Sequence, residues 1–190
     1  MIPPADAPPA RRPSPLAPVT ERVLGVDPGS RTTGWGLVER AGSRYVLVAA
    51  GAIRTPEAGT TAERLIAIHT GLQAVITLHA PASAAIEVIF MHRSSTSALI
   101  LGQARGVALL ALAQAGLPVH EYNASTIKLS VGGSGKADKA QVARMVKLLV
   151  GADVPGPADA TDAVAIAITH HVHAGRRALE ARMAAPRGAR

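Results

Sequence analysis

Val23-Leu24-Gly25-Val26-Asp27-Pro28-Gly29-Ser30 opens the patterned part of the chain. Small and apolar residues run into a carboxylate and Pro28-Gly29 stops them, which predicts a short strand ending in a tight turn. Pro followed by Gly favours a type II turn, with Asp27 as its cap. Residues 35–39 and 45–53 follow at once with alternating or apolar character, so three strands in quick succession should pair antiparallel. Residues 60–79 then place Leu65, Ile68, Leu72 and His79 on one helical face. A strand over 84–89, a helix over 94–115, a strand over 118–122 and helices over 136–150 and from 159 to about 179 complete the pattern. The order βββ-α-β-α-β-α-α predicts an α/β fold. Its mixed five-stranded sheet has three antiparallel strands, then two parallel ones, and is flanked by helices.

The 190 residues divide into a Pro-rich arm (1–22), a folded domain (23–175) and a basic tail (176–190). Seven of the 14 prolines lie in the first 18 residues, and no apolar segment precedes a small-residue cleavage site there. That composition predicts a disordered arm rather than a signal peptide. The tail holds five Arg against one Glu. Cysteine is absent, which excludes disulfides and thiolate metal sites and fits a reducing, cytoplasmic location. The longest unbroken apolar run, 107–113, is far shorter than the ~18 residues of a membrane span, so no membrane association is expected. A net charge of +7 points to an anionic partner such as nucleic acid. Aromatics are only 2% of the chain, too few for a base-stacking groove, so phosphate contacts should dominate that binding.

With 13 acids in all, each one in an apolar setting is informative. Asp27 ends the first strand. Glu87 sits inside Ala84-Ala85-Ile86-Glu87-Val88-Ile89-Phe90, where a buried charge needs a cation, a metal or solvent. A strand end facing a cleft and an exposed edge position both meet that need. Asp159 and Asp162 share one side of the first turn of the last helix, where they also suit a cap and the helix dipole. Singly these acids have ordinary explanations. Together they form a constellation at strand ends and a helix start, where sites in open sheets collect. Four converging carboxylates repel one another, and bound Mg²⁺ or Mn²⁺ would relieve the repulsion. Two such ions about 3.5–4 Å apart can activate water and stabilise the leaving oxygen in phosphodiester hydrolysis. Acid site and basic surface then describe the cutting of nucleic acid.

Four separated motifs carry a family resemblance: 23–31 with Thr33-Gly34-Trp35-Gly36; Ile86-Glu87-Val88-Ile89-Phe90-Met91; Leu101-Gly102-Gln103-Ala104-Arg105-Gly106-Val107-Ala108; and Ala158-Asp159-Ala160-Thr161-Asp162-Ala163 with 165–170. Over roughly 23–173 the chain resembles the RuvC family of Holliday-junction resolvases. The resemblance implies a ribonuclease-H-like fold, a homodimer, and symmetric nicking of two opposed strands of a four-way DNA junction, leaving 5′-phosphate ends. It implies a role in recombination and repair beside the RuvA and RuvB branch-migration proteins. By position, Asp27, Glu87, Asp159 and Asp162 match that family's metal-binding carboxylates. Some members carry His at the position of Asp159, so the set here is all-carboxylate.

The stretch 123–150 holds Lys128, Lys136, Lys139, Arg144 and Lys147 against Asp138 alone, a local 5 − 1 = +4 that suits phosphate contact as well as a solvated face. Lys128 and Lys139 fall where the resembled family is basic. Phe90, just before Met91-His92-Arg93, is either a core residue or a base-stacking wedge, and Arg93 and Arg105 join the candidate DNA contacts. Gly132-Gly133-Ser134-Gly135 reads as a flexible turn. Gly102 and Gly106, four apart on the long helix, suit a dimer interface or close packing on the chain's own sheet. His170, His171 and His173, the first about 12 Å and the last about 16 Å along the helix from Asp162, are too far to share its metal and are expected to decorate the helix end; His92 and His120 are taken as structural. Two rivals remain. A ribonuclease-H-like enzyme processing RNA shares the first-strand motif, whereas a non-catalytic junction binder has no reason to set four carboxylates beside phosphates. A sugar-kinase-type phosphotransferase needs two such domains, which 190 residues do not hold.

Overall fold

Strand β1 (Arg22–Asp27) is the centre of the sheet, because its side chains are apolar on both faces: Val23 turns to one side, Leu24 and Val26 to the other, all fully buried. A computed structural model describes residues 21–88 and 95–184. β1 is followed by β2 (Thr32–Ala41) and β3 (Arg44–Arg54), then α1 (Thr61–His79), β4 (Ser83–Glu87), α2 (Ser95–Gln114), β5 (Val119–Tyr122), α3 (Ala124–Gly132), α4 (Lys139–Val150) and α5 (Ala158–Ala184). The strand order is β3-β2-β1-β4-β5. β1, β2 and β3 pair antiparallel, whereas β4 and β5 continue the sheet in parallel with β1.

Each face of the sheet has its own core. Leu24, Val26, Leu37 and Ile86 meet Ile68 and Leu72 of α1 and Ala104, Ala108 and Leu112 of α2. Val23, Val38 and Ala85 meet Ile127 of α3, Val146 of α4 and Val164 to Ile168 of α5. Two helical layers thus enclose a mixed sheet, the architecture expected from the element order.

Differences from expectation concentrate in the basic stretch. Asn123 caps a nine-residue helix, its side chain accepting from the Thr126 amide at 2.8 Å, where only strand end and turn were expected. The next helix begins at Lys139 rather than 136, because Asp138 is its N-cap, accepting from the Gln141 amide at 2.7 Å. Lys136 therefore lies in the linker. α5 continues to Ala184, and His170 and His171 are buried within it rather than displayed at its end. Gly29 does not take the left-handed backbone that a type II turn requires; its role is close approach, since a Cβ there would fall 2.2 Å from the Thr32 carbonyl oxygen. By length and composition 96–114 within α2 is apolar enough to cross a membrane, with a mean hydropathy of 1.5, because one Arg and two Gln barely lower a windowed average.

Candidate active site

Parallel pairing aligns the ends of β1 and β4. Val26 stands opposite Ile86, so Asp27 and Glu87 leave the sheet side by side at its carboxyl edge. β4 lies between β1 and β5, which removes the exposed-edge explanation for Glu87. The turn after Asp27 is pinned from behind: Thr33 Oγ1 donates to the Gly29 carbonyl at 3.0 Å, and Thr55 Oγ1 to the Ser30 carbonyl at 3.0 Å. α5 supplies the other two acids by packing unusually close to the sheet. A Cβ on Gly34 would fall 2.0 Å from the Asp159 carbonyl oxygen, and one on Gly25 would fall 1.9 Å from that of Ala163. Only glycine at these positions lets the first turn of α5 lie over β1 and β2.

Asp27, Glu87, Asp159 and Asp162 consequently line one cleft of about 550 Å³, with Lys128 and Lys139 on its wall. Burial, then repulsion from Asp162, Glu87 and Asp159 in that order, pushes the Asp27 carboxyl up to about 7 from its ordinary 3.8, with Lys139 opposing. Lys139 Nζ donates to Asp162 Oδ2 at 3.2 Å, and the carboxylates hold its ammonium pKa above the ordinary value. With Lys139 85% exposed, that pair contributes at most about 1 kcal/mol.

Among the described residues, no three acidic or imidazole side chains close on one point as a finished metal cage. The four carboxylates ring the cleft instead. Mg²⁺ and its relatives are held in that way, by one or two carboxylates, waters and substrate phosphates. Carboxylates that crowd and repel one another around Asp27 are an all-oxygen donor set that a divalent cation fits.

The other expected contacts separate. Lys128 and Lys139 face the cleft. Arg144 and Lys147 are exposed on α4 outside it, with Lys147 paired to Asp153 at 2.7 Å, and Lys136 is exposed on the linker. Arg105 is turned inward, bonded to the Glu87 carbonyl and the Glu121 carboxylate with 18% of its side chain exposed, so its expected place among the phosphate contacts is not the one it occupies. Phe90, Arg93 and His92 lie outside the described residues. Missed entirely was a second depression of about 390 Å³, which shares Gly29, Leu101 and Asp159 with the cleft and adds Ser30, Arg31 and Ser97. Its one signal was Arg31 closing the first-strand motif.

Residues 23–170 match the sequence model of the RuvC family, described as crossover junction endodeoxyribonuclease RuvC. Enzymes of that name from Chloroflexus aggregans and Rhodopseudomonas palustris (strain TIE-1) are 52% and 50% identical over 150 and 154 residues. These matches cover 78% and 81% of this chain and 92% and 88% of those proteins. Thermus thermophilus RuvC superposes with a TM-score of 0.74 at 33% identity, over 82% of this chain and 96% of that one. In its complex with a Holliday junction substrate the values are 0.77 and 32%, over 83% and 96%.

Proposed function

The chain belongs to the RuvC family of crossover junction endodeoxyribonucleases, and from that membership we propose how its cleft resolves a four-way DNA junction. It is a metal-dependent hydrolase with a ribonuclease-H-like fold that acts on Holliday junctions. Asp27, Glu87, Asp159 and Asp162 hold two Mg²⁺ or Mn²⁺ ions, a choice supported by an all-oxygen donor set. Those ions supply a water nucleophile at neutral pH and charge stabilisation for the leaving oxygen, consistent with 5′-phosphate products. Lys128 and Lys139 bind and orient the strand at the cleft wall, and Lys139 leaves Asp162 for a backbone phosphate as the junction docks. The observation that carries this reading is the convergence of four carboxylates from three elements on one cleft beside two lysines.

Paired nicks need two clefts, and α2 supports a homodimer. Leu99 and Leu110 are 64% and 50% exposed, and Cβ atoms at Gly102 and Gly106 between them would meet nothing within 4 Å. These glycines thus do not serve packing on their own sheet, and the apolar stripe suits a second copy better than a membrane. Work in recombination and repair with RuvA and RuvB in the cytoplasm completes the proposal.

One experiment tests both parts. The protein is incubated with a mobile four-way junction, linear duplex or RNA, each with Mg²⁺ or Mn²⁺, beside Asp162→Asn and beside equal mixtures of the two proteins. The expected result is symmetric resolution of the junction only, no cleavage by the variant, and singly nicked junctions from the mixture. Cleavage of RNA, or undiminished cleavage by Asp162→Asn, overturns the active-site reading. Simple dilution of paired cleavage in the mixture overturns the dimer.

A further inference from the structure

Arg105 is the one charged side chain of α2, and burying a guanidinium is costly unless its donors are used. Its Nε donates to the Glu87 carbonyl at 3.0 Å, and its Nη2 pairs with the carboxylate of Glu121 on β5. The Glu87 carbonyl belongs to the same peptide unit as the Val88 amide, and that amide donates to the Tyr122 carbonyl at 2.8 Å. Both ends of this one peptide are therefore held, the N–H by β5 and the C=O by α2. The unit lies at the end of β4, on the last rung of the ladder with β5 and past the last pair with β1. Fixing it fixes ψ of Glu87 and so the direction in which the Glu87 side chain leaves the sheet.

We propose that Arg105 is a positioning residue for the metal site, holding the Glu87 peptide so that its carboxylate meets those of Asp27 and Asp162, with Glu121 as the anchor of the guanidinium. This rests on the reading of Glu87 as a metal-holding carboxylate. It replaces a role in phosphate binding, which would need the guanidinium turned outward.

The test uses the full chain with Arg105→Gln, Arg105→Lys, Glu121→Gln and Glu87→Gln. Mn²⁺ binding is followed by electron paramagnetic resonance of the free ion, and junction affinity is measured across salt concentrations in EDTA. Arg105→Gln should weaken Mn²⁺ binding about tenfold, the scale seen when a residue orienting a ligand is lost, while junction affinity in EDTA stays within about twofold. Arg105→Lys, which keeps one donor, should recover part of the loss, and Glu121→Gln should shift Mn²⁺ affinity in the same direction by less. If Arg105→Gln fails to fold or dimerise, Glu121→Gln on β5 carries the test. Unchanged Mn²⁺ affinity in both Arg105→Gln and Glu121→Gln overturns the proposal, and a lowered salt slope in Arg105→Gln would return the side chain to the phosphate backbone. If Glu87→Gln itself leaves Mn²⁺ affinity intact, the assignment of Glu87 falls and the positioning role falls with it.

Discussion

The beginning and the middle of α5 each bring titratable groups into low-dielectric surroundings, with opposite provision for them. In the first turn Asp159 and Asp162 join Asp27 and Glu87, and repulsion and burial push Asp27 up to about 7, with one exposed lysine in opposition. About 12 Å along the same helix, burial and the neighbouring His120, whose ring centroid is 4.2 Å away, push His170 down to about 4. There the polar atoms have partners: His170 Nδ1 shares a hydrogen bond with the Tyr122 hydroxyl at 3.0 Å, and His171 Nε2 donates to the Val38 carbonyl at 3.0 Å. Strain that the fold resolves internally is structural. Strain left open to a cleft is available to a ligand, in the reading proposed above cations and phosphate.

Asp27→Asn should break this contrast most sharply. Loss of a ligand oxygen at the centre of the site is expected to lower cleavage by about 10³-fold or more, several kcal/mol of transition-state stabilisation. The same change should stabilise the metal-free fold. The native carboxyl holds its proton up to about 7 while the unfolded one releases it near 3.8, so stability falls as pH rises through that window. Melting in EDTA at pH 8 should show Asp27→Asn gaining about 2–4 kcal/mol over the parent, with the gain gone at pH 4. A variant that is inactive and also less stable at pH 8 would mean that Asp27 carries no repulsion.

The imidazole cluster predicts the opposite pH response. His170 is neutral in the fold and takes a proton in the unfolded chain near 6.5, so stability should be full above 6.5 and decline by up to about 3 kcal/mol as pH falls through about 4. Glu21, whose carboxylate lies 4.0 Å from His170 Nε2, softens the decline, and His171 and Arg177 deepen it. His170→Gln should be less stable at pH 7 but flatter between pH 6.5 and 4. Equal slopes for parent and variant would clear His170 of the acid sensitivity.

Smallest in effect, Lys128→Ala and Lys139→Ala should each flatten the salt dependence of junction affinity by about one unit of log–log slope, while Arg144→Ala, away from the cleft, moves it less. Equal slopes for all three would mean that the cleft wall has no privileged contact with the strand.

Much of this arrangement was legible in the chain. Alternating and helical periods marked the strands and long helices, and acids at apolar strand ends and at one helix start marked the cleft. α3 escaped because nine residues with two buried apolar positions, Ile127 and Val131, are too few for a period to emerge. The start of α4 is set by Asp138 as N-cap, but Lys136 two residues earlier fits the polar face of the same helical period, so the period alone does not mark the boundary. Charge sign alone did not separate Lys128 and Lys139 from Arg144 and Lys147, since a positive residue on an amphipathic face carries no mark of what lies opposite.

The sequence by itself determined the succession of strands and long helices, the all-oxygen character of the candidate site and its basic surroundings, because these follow from residue type and spacing within single elements. Only the tertiary structure decided which face each polar group meets. It packed Gly25 and Gly34 against α5 so that acids some 130 residues apart share a cleft, turned Arg105 inward onto the Glu87 peptide, and satisfied His170 with a tyrosine. Such pairings depend on distances between elements far apart in the chain, and local periodicity holds no record of them.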